Sequence, residues 1–94
     1  MSTTSSPVSK TWHVRLDISE QEGSTKAIAH LETGADTHLS GTGVARLNPH
    51  DPDVPEIGDE LAAARALSDL AHVLLEAAAD DLSGVLLKPV RLEG

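Results

Sequence analysis

Three histidines lie on neighbouring stretches of the chain, in positions that could bring imidazoles together around a metal ion. Residues 12–18 and 25–31 each alternate apolar and polar side chains, which is typical of half-buried β-strands. If Ile18 pairs with Thr25, then His13 faces His30 on the polar side and His38 lies nearby. Imidazole is a common zinc ligand. The alternative is three solvated histidines on an outer sheet face, and since no carboxylate or helical histidine pair fixes a ligand geometry, we predict no metal site.

Other catalytic chemistries have little support. The chain contains Ser, His and Asp, but no Gly-x-Ser-x-Gly turn and no glycine-rich loop that opens a helix, and Gly41-Thr42-Gly43 falls inside a strand pattern. The chain has no cysteine, which excludes disulfides, thiolate zinc sites and a cysteine nucleophile. We therefore expect no enzyme activity, no catalytic residues and no cofactor.

Charged side chains before and along the predicted helix are candidates for contact with a partner. They are Asp53, Glu56, Asp59, Arg65 and Asp69. The alternative is a solvated helix face with weak i,i+4 pairs, and carboxylates that compensate the positive end of the helix dipole.

The whole chain is acidic, with a formal net charge of −8 over 94 residues. Phosphate binding depends on positive charge that displaces counterions, so this composition argues against autonomous, tight nucleic-acid binding and against an anionic membrane surface. No stretch approaches the 18 or so apolar residues that span a bilayer, and residues 1–11 lack the apolar run of a secretion signal. We expect a cytoplasmic protein.

Alternation extends over three segments and predicts three strands. The residues on the inward face of each segment are, in turn, Trp12, Val14, Leu16 and Ile18; Ala27, Ala29 and Leu31; and residues 39, 41, 43, 45 and 47. Polar turns at 19–24 and 32–37 join them into an antiparallel meander. Because Gly41 and Gly43 leave the third row shallow, a large side chain or a closely approaching helix must fill the gap.

One long helix follows a proline-rich loop. Asp53 with Pro55 and Glu56 favours a start near residue 54, and a later start capped by Asp59 is the competing interpretation. The helix is expected to run to about Asp80, with an apolar arc wider than one sheet face can cover. Either the N-terminal tail or a second copy of the protein covers the remainder. Pro89 predicts that residues 85–92 form an edge strand or an extended arm.

These elements form one domain, since a 94-residue chain is too short for two. We assign residues 1–11 to a flexible polar tail and residues 12–94 to a single α+β domain. Its order is β-β-β-α: a three-stranded antiparallel sheet packed on one long helix, with a C-terminal arm or short strand.

The segment from Ala45 to Ala71, ARLNPHDPDVPEIGDELAAARALSDLA, resembles the signature of a family of small actinobacterial proteins. The first strand and the closing Pro-Val-Arg-Leu match as well. That family is filed as a domain of unknown function with a fold like the double-stranded-RNA-binding domain, similar in topology to ribosome hibernation-promoting factors. The resemblance implies the β-β-β-α fold and a dimer, and it implies no catalytic residue. Hibernation factors hold RNA through basic helices, whereas this helix carries Asp69, Glu76 and Asp80.

Two function classes follow. The first is a dimeric, non-enzymatic protein-interaction module, which agrees with the acidic charge. The second is a stress-linked, ribosome-associated regulator that would contact ribosomal protein, and it rests on the resemblance alone. We expect a homodimer and no strong direct binding to nucleic acid.

Overall fold

Three strands precede one long helix in the computed structural model, which describes residues 8–35, 38–47 and 54–92, with side chains of the helix described to Val85. The strands are β1 (His13–Gln21), β2 (Ser24–Glu32) and β3 (Leu39–Arg46), and the helix is α1 (Pro55–Leu92). The strands pair antiparallel in the order β1-β2-β3, and α1 packs on one face of the sheet. This confirms the α+β, β-β-β-α architecture.

The first hairpin has a tighter turn than the sequence suggested. Glu22 and Gly23 form a two-residue turn in which both have positive φ, 44° and 74°. Such turns match the twist of the flanking strands. The strands therefore extend to Gln21 and Ser24, and Ile18 pairs with Ala27. The expected pairing of Ile18 with Thr25 is wrong by two residues, but a shift of two leaves every side chain on its expected face.

The core lies between α1 and the strands β2 and β3. It is built from small and medium aliphatic side chains: Ala27, Ala29, Leu31, Ala45, Ala62, Ala66 and Leu70. A Cβ atom on Gly41 would overlap the helix backbone at Ala66 and Leu70, and one on Gly43 would overlap it at Ala62 and Ala66. The closely approaching helix, rather than a large side chain, therefore fills the shallow row.

The helix begins at Pro55, as the earlier of the two predicted starts requires. Proline suits the first helical position because its missing N–H has no intrahelical partner there. The Ile57 amide donates to the Val54 carbonyl oxygen at 3.0 Å. The competing start at Asp59 is wrong, and Asp53, the predicted capping residue, lies outside the described residues.

The far end of the helix differs from the prediction. Residues 85–92 continue α1 to Leu92 instead of forming an extended arm or strand. Pro89 removes one backbone donor. Leu, Lys and Arg around it favour the helix, and adding residues to an existing helix is far easier than nucleating one. Within the described ranges, no helix is long and apolar enough to cross a bilayer.

Candidate functional site

One row of apolar side chains on the helix side of the sheet is left largely uncovered. We call Trp12, Val14, Leu16 and Ile18 the β1 row. Val14, Leu16 and Ile18 stand directly opposite the buried Leu31, Ala29 and Ala27, so they share the face on which α1 packs. Yet Trp12 is 53% exposed, Val14 45% and Ile18 43%, whereas Leu16 is partly buried against the core. The helix lies over β3 and β2 and barely contacts β1.

The width of the elements explains why this row stays open. A helix is about 10 Å across, and neighbouring strands are about 4.8 Å apart, so one helix covers two strands and not three. The sequence predicts that one strand is left uncovered, since it predicts three strands and one helix. It does not indicate which of the three strands this is.

The side of α1 that faces the β1 row is apolar. Successive helical residues are about 100° apart, so Arg65 and Leu67 flank the buried Ala66 on opposite sides. Arg65 reaches β3, which places Leu67 on the side of β1, and there it is 42% exposed. Leu74 also lies on this side and shares an open depression with Trp12 and Leu39. The β1 row is therefore the floor of an apolar groove, and α1 is one wall.

The two edges of the sheet differ in their hydrogen bonds with side chains of α1. At the β3 edge the Arg65 guanidinium donates to the Val44 carbonyl oxygen at 2.7 Å, and the Asp69 carboxylate accepts from the Thr42 amide at 2.9 Å. These contacts occupy backbone groups that could otherwise pair with another strand. Among the described residues, no side chain of α1 makes such a contact with the β1 edge.

The five residues that the sequence suggested as partner contacts have different environments in the structure. Arg65 and Asp69 bind the β3 edge, so they have a structural task that the sequence did not reveal. Glu56 is exposed in the first turn of α1. Asp59 is half-buried, and its Oδ1 has no hydrogen-bond partner within the described chain. Asp53 lies outside the described residues. A partner role for these residues stays a prediction.

Two of the three histidines do come together. The rings of His30 and His38 are 5.8 Å apart between centroids. His30 Nε2 lies 3.2 Å from Asp17 Oδ2, and Arg15 bridges Asp17 and Glu32. His13 stands opposite Glu32 and not opposite His30, because of the two-residue shift in register. In the part of the chain that the structure describes, no three metal-ligating side chains converge.

A family model described as Rv2632c-like matches residues 10–91, a span that contains all three strands and nearly all of α1. The chain belongs to the Rv2632c-like family. Proteins of this family consist of a domain of unknown function that occurs in actinobacteria. Its expected likeness to double-stranded-RNA-binding domains and hibernation factors stays a prediction.

Individual proteins are similar to this chain over most of their length. The uncharacterized protein Rv2632c of Mycobacterium tuberculosis strain H37Rv is 43% identical over 88 residues, which are 94% of each chain. The uncharacterized protein Mb1767 of Mycobacterium bovis is 49% identical over 81 residues, 86% of this chain and 85% of that one. The crystal structure of Rv2632c superposes with a TM-score of 0.78, covering 86% of this chain and 95% of that chain. The β-β-β-α domain described above is thus similar to that crystal structure over most of both chains.

Proposed function

We propose that this protein is a non-enzymatic, homodimeric protein-interaction module whose partner adds an extended segment along the free edge of β1. The observation that supports this most is the β1 row, four apolar side chains of which three are exposed, beside an edge to which no described side chain of α1 hydrogen-bonds. An exposed strand edge can pair with an incoming extended peptide through main-chain hydrogen bonds. Alternate side chains of that peptide would then enter the apolar groove between β1 and α1.

The chemistry of the row defines the kind of segment that fits. Four alternating positions, Trp12 to Ile18, are apolar, and the next position on the same face is Glu20, paired with Thr25. A complementary segment therefore alternates apolar residues on one face and carries Lys or Arg beside Glu20. The net charge of −8 also favours a basic partner, because opposite charge raises the rate of encounter.

A displayed library of random peptides tests this proposal without knowledge of the natural partner. We expect enriched peptides with apolar residues at every second position, and we expect their binding to shift backbone amide resonances of β1. Val14→Lys should weaken binding at least tenfold, because it places a charge in the groove. Ser19→Lys is the matched control, since it adds the same charge to the other face of the same strand and should leave binding unchanged.

Two outcomes would contradict the proposal. One is enrichment that Val14→Lys leaves intact, and the other is a set of shifted amides that lies on α1 or β3 and avoids β1. No contact among the described residues favours the ribosome-associated alternative, which stays a prediction.

A further inference from the structure

The helix carries a second stripe of residues, apolar at every position except Ser68, that lies outside the core. Its positions alternate in steps of four and three residues: Ile57, Leu61, Ala64, Ser68, Ala71, Leu75, Ala78, Leu82 and Val85. We call these nine residues the outer seam. All nine are exposed, among them Leu75 at 70%, Leu82 at 59% and Val85 at 62%. The stripe that packs on the sheet is a different one, through Ala62, Ala66 and Leu70.

The spacing of the outer seam is that of a helix that pairs with another helix. Alternating steps of four and three give a repeat of 3.5 residues, and two such helices wind around each other so that the stripe stays at the contact. A helix that rests on a sheet alone needs one apolar stripe. None of the nine residues is charged, although the chain has a net charge of −8.

We propose that the outer seam binds the outer seam of a second copy, with the two α1 helices antiparallel. This inference deepens the proposed homodimer and depends on it. The argument for a second copy is that the leucines at 61 and 75 have small residues of the same seam to pack against. With Ser68 opposite the partner's Ala71, Leu61 falls opposite the partner's Ala78, and Leu75 opposite the partner's Ala64. In the layers of Leu61 and Leu75 a large residue meets a small one, which is how facing layers interdigitate. The two central layers, Ser68 with the partner's Ala71, are small on both sides, and at each end Ile57 meets the partner's Leu82.

The parallel arrangement lacks this match. It would place Leu75 against Leu75 of the partner subunit and Ala71 against Ala71 of the partner subunit, so that crowded layers alternate with layers that leave gaps. Antiparallel pairing also brings Leu67 beside the partner's Leu74, which extends the apolar contact. At the two ends it brings Glu60 near the partner's Asp81, so salt should strengthen the antiparallel dimer by screening this repulsion.

Engineered disulfides distinguish the two orientations, because the chain has no cysteine of its own. In the antiparallel dimer the two copies of residue 75 lie about 16 Å apart along the helices, whereas residue 75 meets residue 64 of the second copy. A disulfide needs Cα atoms within about 7 Å. We expect the double variant Ala64→Cys/Leu75→Cys to form a covalent dimer on oxidation, and Leu75→Cys alone to remain unlinked. Efficient linkage of Leu75→Cys alone would overturn the antiparallel orientation.

Sedimentation of charge variants tests the seam itself. Leu75→Glu should raise the dimer dissociation constant at least tenfold while circular dichroism stays unchanged, because this side chain is exposed in the single chain. Ser83→Glu, exposed on α1 away from the seam, should have no such effect. A dimer insensitive to Leu75→Glu would overturn the seam and leave the proposed homodimer standing. A wild-type chain that is monomeric at all concentrations would overturn both the seam and the proposed homodimer. The peptide library would then test binding at β1 independently.

Discussion

At the scale of single residues, two glycines determine how closely the helix approaches the sheet. Gly41 and Gly43 lie on the inner face of β3, directly beneath the backbone of α1 between Ala62 and Leu70. The sequence could predict that something must fill this shallow row, since Gly41 and Gly43 occupy successive positions on one face of the predicted strand. It could not predict the contacting residues, because these depend on the register between a helix and a strand distant in sequence.

Gly43→Ala should therefore destabilise the protein by about 3 kcal/mol, because the added methyl group overlaps backbone atoms, which cannot rotate away. Urea unfolding measures the change. The matched control is Gly84→Ala, a helical glycine with open space around its Cβ position, and it should stabilise the helix by up to about 1 kcal/mol. Equal effects of the two substitutions would mean that the helix stands further from β3.

Two leucines one turn apart on α1 should differ in their contribution to stability. Leu70 is 5% exposed in the core, whereas Leu74 is only partly buried and packs at its margin. Leu70→Ala should cost about 2–5 kcal/mol, and Leu74→Ala clearly less, since a cavity at the margin can fill with solvent. Thermal unfolding at low protein concentration compares them. The reverse order would show that the core extends towards the β1 row.

At the scale of elements, the strands and the helix were predictable, and their ends were not. Alternation and helical periodicity are local properties, so the three strands, the single helix and its start at Pro55 are confirmed. The hairpin register depended on a two-residue turn with a glutamate at positive φ, a conformation that the residue type does not favour. The helix continues past its predicted end near Asp80, because the helix formers around Pro89 outweigh the loss of one backbone donor.

The sequence pattern did not predict that Arg65 and Asp69 bind the β3 edge. The contact of Asp69 leads to a specific prediction. Asp69→Ala removes the acceptor of the Thr42 amide, so this amide should exchange with solvent faster and the fold should lose about 1 kcal/mol. Asp69→Asn keeps an acceptor at the same place and should largely restore protection. Hydrogen exchange followed by NMR measures both. An unchanged Thr42 exchange rate would show that the contact does not persist in solution.

At the scale of the whole molecule, the two apolar surfaces adjoin along the helix, because Leu67 and Leu74 border both and Ala78 of the outer seam lines the same depression as Trp12. The β1 row lies beside α1 on the sheet, and the outer seam consists of exposed residues of α1 that are distinct from its core stripe. Dimerisation through the outer seam would therefore place the second copy beside the groove that is proposed to bind the partner. The sequence predicted the excess apolar arc, but it could not divide the arc between sheet and seam, because that division requires knowing which residues the sheet covers.

The overall charge predicts the behaviour towards RNA. We expect no measurable binding of the isolated protein to single-stranded or duplex RNA at about 150 mM salt, because phosphates are repelled by a chain of charge −8. Arg15 and Arg65 are also engaged with Glu32 and with the Val44 carbonyl oxygen. Fluorescence anisotropy with labelled RNA measures this. Submicromolar affinity that Arg15→Ala or Lys26→Ala reduces would instead assign the outer sheet face to RNA.

The strand order β1-β2-β3, in which every strand pairs with its neighbour along the chain, also determines how the protein should fold. Contacts between nearby segments close small loops, and such topologies fold quickly. Only the docking of α1 onto β3 and β2 closes a longer loop. We therefore expect refolding of each chain in about milliseconds, as for small mixed α/β domains. Association of the outer seams would follow as a slower phase whose rate increases with protein concentration.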